Sequence, residues 1–204
     1  MAIRLRPATP ADLDRVVEIE HAADAAPYLT PWERERHELA LDQPHFDHLV
    51  IADGKAVEGF LLIDGLTNEH RSVELRKIAV ACPGGGVGRK AMRLALARCF
   101  EQHRAHRVWL DLKLYNKRAR RVYEALGFVV EGTARESYLH EGEFEPLLVM
   151  SLLEQEWRTA EAATDVERPR APRVRRARRG RADAAPSARA PRCAGARPRD
   201  TRAS

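Results

Sequence analysis

A chain of 204 residues, 44% hydrophobic and 32% charged, has apolar material for one domain with a sizeable core and room left for a tail. Its net charge of +5 is uneven: residues 160–204 hold thirteen arginines against five acidic residues and so carry +8, leaving −3 for the rest. No apolar run reaches the roughly 18 residues of a membrane span, Met1 to Pro10 lacks a signal-peptide core, and Cys82, Cys99 and Cys193 have no framework or metal-site spacing, so a soluble cytoplasmic protein is expected.

Ile3 to Arg6 alternates apolar and basic residues, as a short edge strand does. Thr9 and Pro10 supply an N-cap and a first-turn proline for a helix over Ala11 to Ala22, with Leu13, Val16, Val17 and Glu20 on its inward stripe. A second helix is expected from Pro31 to Leu41, capped by Thr30. Its Glu33, Glu35 and Glu38, interleaved with Arg34 and Arg36, make either a solvated, ion-paired face or a wall around an acceptor. His48 to Ala52 and Ala56 to Ile63 read as strands joined at Asp53-Gly54, a hairpin signal. After a turn at Gly65 to Asn68, Arg71 to Val80 is a third antiparallel strand.

The next stretch, Cys82-Pro83-Gly84-Gly85-Gly86-Val87-Gly88, is followed at once by Arg89 and Lys90. A glycine run lets backbone N–H groups approach an anion without interference from Cβ atoms, and a helix N-terminus adds free donors and a positive dipole end. Phosphate, above all pyrophosphate, is the ligand such a loop suits; a flexible loop that binds nothing is the alternative. Gly88, Ala91, Met92, Ala95, Leu96 and Cys99 share the inward face of the following helix, with Cys99 a core thiol. Arg107 to Leu114 is a strand. Asn116 caps a helix that turns Ala119, Val122, Tyr123 and Leu126 inward and stops at Gly127. Phe128 to Val130 starts another strand, a hairpin turns at His140-Glu141-Gly142-Glu143, and Pro146 to Leu153 is the last strand. The order βααβββαβαββ is an α/β (α+β layered) class, a mixed, mostly antiparallel sheet flanked by helices over residues 1–157. An Arg/Ala/Pro-rich tail over 158–204 has the composition of a disordered segment.

On these residues the chain resembles the GNAT superfamily of N-acetyltransferases over Ile3 to Leu153. Ile78-Ala79-Val80 followed by Gly86-Val87-Gly88 resembles the family's acetyl-CoA loop, usually written Q/R-x-x-G-x-G/A. Asn116-Lys117-Arg118-Ala119, Tyr123 and Gly127-Phe128 resemble its N-x-x-A-x-x-x-Y-x-x-x-G-F signature. The ending Glu131-Gly132, Arg135-Glu136, Glu141-Gly142 and Val149-Met150 is similar to the branch of ribosomal-protein N-terminal and polyamine acetyltransferases. Pro83 departs from the pattern, standing where Gln or Arg is usual and having no N–H to give a phosphate.

The resemblance implies acetyl-CoA as co-substrate and a primary amine as acceptor, either a small molecule or a protein N-terminus or lysine, with no metal. It places the main chain of Ile78, Ala79 and Val80 along the pantetheine arm, with one N–H at the oxyanion. Gly84, Gly85, Gly86, Val87, Gly88, Arg89 and Lys90 would hold the pyrophosphate, and Asn116 and Ala119 the cofactor arm; a plain N-cap is an equal reading of Asn116. Tyr123 matches the tyrosine that serves the departing thiolate. An ordinary tyrosine near 10 giving its proton to a thiol near 8.5 goes uphill by about 2 kcal/mol, so Tyr123 is pictured as a hydrogen-bond donor with full transfer late. Glu74, five residues before Ala79, stands where some members carry a general base; Glu20, His21, Tyr138 and Glu141 are further candidates.

Need for a base depends on the acceptor. Deprotonating a lysine-like amine at pH 7 costs about 4.6 kcal/mol, an α-amino group about 1.4 kcal/mol. Glu18, Glu20, Glu33, Glu35, Glu38, Glu141 and Glu143 lie in segments that flank the acceptor in the family, so a cationic acceptor is expected. Two other classes remain: an acetyl-CoA-binding module without turnover, and a nucleic-acid binder acting through its arginine-rich tail, which lacks stacking aromatics. Exposed strands are compatible with a homodimer.

Overall fold

The computed structural model describes residues 2–22, 25 and 27–167, with side chains to residue 163. The tail beyond residue 167, and with it the nucleic-acid reading, lies outside the described residues.

Seven strands form one sheet: β1 (Ile3–Pro7), β2 (Asp47–Asp53), β3 (Ala56–Asp64), β4 (Ser72–Val80), β5 (Arg107–Lys113), β6 (Val129–His140) and β7 (Glu143–Leu153). Their spatial order is β1-β2-β3-β4-β5-β7-β6, and every neighbouring pair is antiparallel except β4 with β5. The expected α/β layering is therefore the observed one. Helices cover both faces: α1 (Leu13–Glu20) and α2 (Arg34–Leu41) on one, α3 (Val87–Ala97) and α4 (Lys117–Glu124) on the other. Leu49, Ile51, Leu61 and Ile63 turn toward α3, while the intervening Val50, Phe60 and Leu62 turn toward α1 and α2, as period-2 strands require.

One strand breaks that period. Leu62 pairs with Lys77 and Ile63 with Leu75, so Arg76 is an extra residue bulged out of the β3–β4 ladder. Before the bulge Val73 and Leu75 face the α3 core. After it Ile78 and Val80 do, and Ala79 joins the α1 side. The slip also turns Lys77 toward α1, where it meets Glu20.

Three expectations about the helices need correction. The first helix does not begin at Ala11: Pro10–Asp12 is a 3₁₀ turn and α1 runs Leu13–Glu20. Asp12 sets this boundary. Its carboxylate accepts from the Thr9 N–H (2.8 Å), the Thr9 hydroxyl (2.7 Å) and both ends of the Arg6 guanidinium (2.7 Å each). On the inward stripe Ile19 is buried where Val17 was expected, beside Leu13, Val16 and Glu20. Thr30 does not cap the second helix, which starts at Arg34 after Glu33. Residues 30–32 are instead tied inward, because the Glu20 carboxylate accepts the Trp32 N–H (3.1 Å) and Lys77 donates to the Thr30 carbonyl.

The later elements are those expected, with α4 ending at Glu124, short of Leu126, and β7 beginning at Glu143, ahead of Pro146. Gly86 opens α3 in the left-handed region (φ 76°), and Gly127 closes α4 (φ 95°). Cys99 is buried and free, its thiol pushed up to about 12 by burial, as suits a core group. A helix not foreseen, α5 (Glu154–Glu167), runs through the expected boundary at residue 157, and its Trp157 stacks on Phe100 at 5.1 Å.

Candidate active site

The site begins where the sheet opens. The parallel strands β4 and β5 pair over only three positions, Ser72 with Arg107, Val73 with Val108 and Glu74 with Trp109. Beyond Glu74 both strands continue unpaired with each other, so their facing polar edges border a cleft instead of a ladder. This cleft has a volume of about 430 Å³. Ile78, Ala79 and Val80 form its β4 wall; Gly84, Gly86, Gly88 and Arg89 its loop end; Asn116, Ala119 and Tyr123 the α4 side. Ten of the residues singled out by sequence thus meet in one place.

Gly85, Val87 and Lys90 do not line it: Val87 is packed in the core, and Lys90 is exposed on α3. A Cβ built on Gly84, Gly85 or Gly86 would meet no protein atom within 4 Å, and one on Gly88 only Val80 Cγ1 at 3.8 Å. Gly85 and Gly88 are not needed for protein packing or, with φ outside the left-handed region, for backbone geometry; the space belongs to whatever approaches the loop. With Arg89 at the rim and the α3 N-terminus behind it, the loop fits a pyrophosphate. Pro83 sits in the wall without an N–H, so these donors must come from the residues after it.

Asn116 is an N-cap, its side-chain oxygen accepting from the Ala119 N–H at 3.1 Å, and it also faces the cleft. Both readings of that residue hold together. Tyr123 is 9% exposed, lies 5.8 Å from the Phe128 ring, and is pushed up to about 12 by burial, with the Asp111 carboxylate adding to the push.

A second cleft, of about 330 Å³, adjoins the first on the α1–α2 face; Tyr28, Leu29, Arg76, Lys77, Asp111 and Leu112 border both. Glu74 lines this second cleft. Its carboxyl is raised by burial against the pull of Arg76, which lies 3.2 Å away and 3.0 Å from Asp64. Asp111, exposed where it borders the clefts, is likewise raised by desolvation against the pull of Arg76, and its side chain makes no hydrogen bond or ion pair with any described residue. Sequence reasoning missed it. The available signal was β5 itself, where Trp109, Asp111 and Lys113 occupy the face opposite the core residues Val108, Leu110 and Leu112.

The other base candidates separate. Tyr138 lines the second cleft, and its hydroxyl shares a 2.6 Å hydrogen bond with Thr30 Oγ1. His21 is exposed, with Nδ1 at 3.0 Å from the Val17 carbonyl, and Glu141 sits in the β6–β7 turn; neither borders a cleft. Glu20 is wholly buried and engaged: it accepts from Lys77 Nζ (2.6 Å) and lies 2.8 Å from His37 Nε2, whose Nδ1 lies 2.9 Å from His48 Nε2. The expected acidic rim of the acceptor side is not there. Glu18, Glu33, Glu35, Glu38, Glu141 and Glu143 border neither cleft, because α1 and the β6–β7 turn present them to solvent and α2 turns Arg36, not its glutamates, to the second cleft.

The profile of the acetyltransferase (GNAT) family matches residues 13–128. The chain is 32% identical over 117 residues to the candidate ribosomal N-acetyltransferase YdaF of Bacillus subtilis (strain 168), a match spanning 52% of this chain and 64% of that one. A crystal structure of a candidate acetyltransferase superposes with a TM-score of 0.67 at 30% identity, covering 80% of this chain and 92% of that one. The fold is also that of a spermidine N-acetyltransferase from Vibrio cholerae, solved with CoA and spermine (TM-score 0.69, 23% identity, 76% and 98% covered). No described helix is long and apolar enough to cross a membrane. The chain belongs to the acetyltransferase (GNAT) family, with acetyl-CoA as co-substrate and acetyl transfer to an amine as its chemistry.

Proposed function

We propose that this chain acetylates a primary amine that enters by the second cleft and meets acetyl-CoA lying along β4 in the first. The observation that carries the reading is the parting of β4 and β5 after Glu74, beyond which the glycine-loop cleft, lined by Tyr123, adjoins the second cleft with Asp111 bordering both.

The co-substrate supplies a thioester; the remaining work falls to the chain. Gly84, Gly86, Gly88, Arg89 and the α3 N-terminus hold the pyrophosphate, while the unpaired edge at Ile78 to Val80 bonds the pantetheine arm and offers an N–H to the carbonyl oxygen. The amine nitrogen bonds the acetyl carbon, the carbon–sulfur bond breaks, and sulfur leaves with the electron pair. With Tyr123 at about 12, complete proton transfer to a thiolate near 8.5 is uphill by about 5 kcal/mol, so Tyr123 steadies the sulfur through a hydrogen bond and the thiolate takes its proton from solvent on release.

The amine's proton goes to a carboxylate. Asp111 fits better than Glu74: it borders both clefts and is free of ion pairs among the described residues, whereas Glu74 borders one and is held by Arg76. Glu74 then acts through its negative field. The spermine bound in the Vibrio cholerae structure supports an amine acceptor in this fold. Acetyl-CoA being an intracellular metabolite supports a cytoplasmic setting, and the open outer edge of β6 is the surface a homodimer would use, read by sedimentation.

The test is thiol release from acetyl-CoA over a panel of amines, with Tyr123→Phe as control. Amine-dependent release that falls in the variant supports the reading. Tight acetyl-CoA binding without turnover on any amine overturns it in favour of a binding module.

A further inference from the structure

Six charged side chains line the second cleft: Arg36, Glu74, Arg76, Lys77, Asp111 and Lys113. Four have an ion-pair partner inside the protein, although the buried Lys113 Nζ makes no hydrogen bond with any described residue. Lys77 donates to Glu20 and to the Thr30 carbonyl; Arg76 pairs with Glu74 and Asp64; Lys113 lies 3.4 Å from Glu145 and 4.6 Å from the Tyr138 ring centroid. Two charges of opposite sign are left over, Asp111 and Arg36, whose side chains make no hydrogen bond or ion pair with any described residue.

Their places differ in a way that matters for the reaction. Asp111 borders both clefts and so stands where an amine meets the thioester; Arg36 borders only the second. The Arg36 guanidinium carbon lies 4.0 Å from the centroid of the buried Trp32 ring, and the same indole has Lys77 at 4.7 Å and Arg76 at 6.0 Å. Stacking covers a face of the guanidinium and leaves its donors in plane, the arrangement that grips a carboxylate through two parallel bonds. Lys77 and Arg76 beside the same ring are already neutralised by Glu20 and by Glu74 and Asp64, so Arg36 is the cation that this end of the cleft offers to an anion and sets against a second ammonium group.

We propose that the acceptor is a zwitterion of amino-acid type, with its primary amine at Asp111 and its carboxylate on Arg36. This rests on reading the second cleft as the acceptor site. A polyamine would place a cation against Arg36. The carboxylate has two sources, a free amino acid or an acidic residue beside a peptide N-terminus, and the chemistry at Arg36 is the same.

The experiment uses the full chain with acetyl-CoA and two acceptors of equal length, 4-aminobutanoate and 1,4-diaminobutane, with spermidine and paired acetyl-free peptides (Ala-Glu-Glu-Ala amide and Ala-Lys-Lys-Ala amide) as further arms. The carboxylate acceptor is expected to be preferred by roughly tenfold to a hundredfold in kcat/KM, the worth of a charged hydrogen-bonded pair. Arg36→Met should remove that preference by raising KM for 4-aminobutanoate with little change in kcat, and Arg36→Lys should restore part of it. A preference confined to the acidic peptide assigns the carboxylate to a peptide; one for 4-aminobutanoate assigns it to a free amino acid. Diaminobutane or spermidine used as well as the carboxylate acceptor, or an Arg36→Met effect equal on both, overturns the proposal while leaving acetyl transfer standing. Should no amine be acetylated, acetyl transfer itself fails. Calorimetric binding of 4-aminobutanoate that Arg36→Met abolishes would then uphold the zwitterion seat, and absence of such binding would overturn it.

Discussion

Lys77 Nζ lies 2.6 Å from Glu20 Oε1, with the Glu20 side chain fully out of water and that of Lys77 6% exposed. The pair joins the bulged strand β4 to α1, and its remaining bonds hold residues 30–32 over the two clefts. Burial works to raise the Glu20 carboxyl, but His37 and Lys77 outweigh it and keep it below its ordinary value.

Removing one member should therefore cost far more than an exposed ion pair would. Glu20→Gln leaves Lys77 buried without its counter-charge, and a loss of about 3–5 kcal/mol is expected in urea unfolding. Surface pairs such as Arg120–Glu124 supply the contrast: Glu124→Gln should change stability by no more than about 0.5 kcal/mol.

Acid should destabilise the protein before ordinary carboxylates titrate. Burial, then the neighbouring His37, lowers His48 to about 4, against an unfolded value near 6.5. Between these values the unfolded chain binds a proton that the folded chain refuses. His48 therefore costs nothing above about 6.5, and stability falls by about 3 kcal/mol as pH drops toward 4. Glu20 and Asp47, both held low, add to the loss at lower pH. Unfolding free energies from pH 7.5 to 4 measure the slope, and His48→Phe should flatten it.

Tyr123→Phe should lower kcat by about 10²–10³, the worth of one donor to developing charge, with little effect on the acetyl-CoA KM or on thermal stability, since no described residue bonds the hydroxyl. Because Tyr123 stays protonated to about 12, the alkaline side of the pH–rate profile should be the same in both proteins until that range. Asp111→Asn should remove the acid limb of kcat/KM, which in the parent lies above the ordinary carboxylate range.

Two loop substitutions should separate ligand binding from folding. Gly88 lines the cleft and a Cβ there meets only Val80 Cγ1 at 3.8 Å, so Gly88→Asp should leave the melting temperature nearly unchanged and weaken acetyl-CoA at least tenfold, by setting a like charge in the cradle. Gly86→Ala should instead cost about 1 kcal/mol of stability, because its φ of 76° disfavours a Cβ.

Local chemistry made much of this protein legible in the sequence. Period-2 runs and the Asp53-Gly54 turn specified the β2–β3 hairpin, Asn116 and Gly127 bounded α4, and the glycine run with Tyr123 pointed to the cofactor cleft, since each signal lies within a few neighbouring residues. The acceptor side was not legible. The bulge at Arg76 reverses which residues of β4 face which layer, and no period in Val73 to Val80 marks it. Whether Glu20 lines a groove or neutralises Lys77 depends on a contact 57 residues away in sequence, and the surplus charges Asp111 and Arg36 emerge only after every other partner is matched in space. Caps, turns and strand periods are local, so the residues alone were enough to specify the elements and to point to the glycine-loop cleft. Charge pairing and burial are long-range, so the surroundings of the second cleft emerged only from the folded chain.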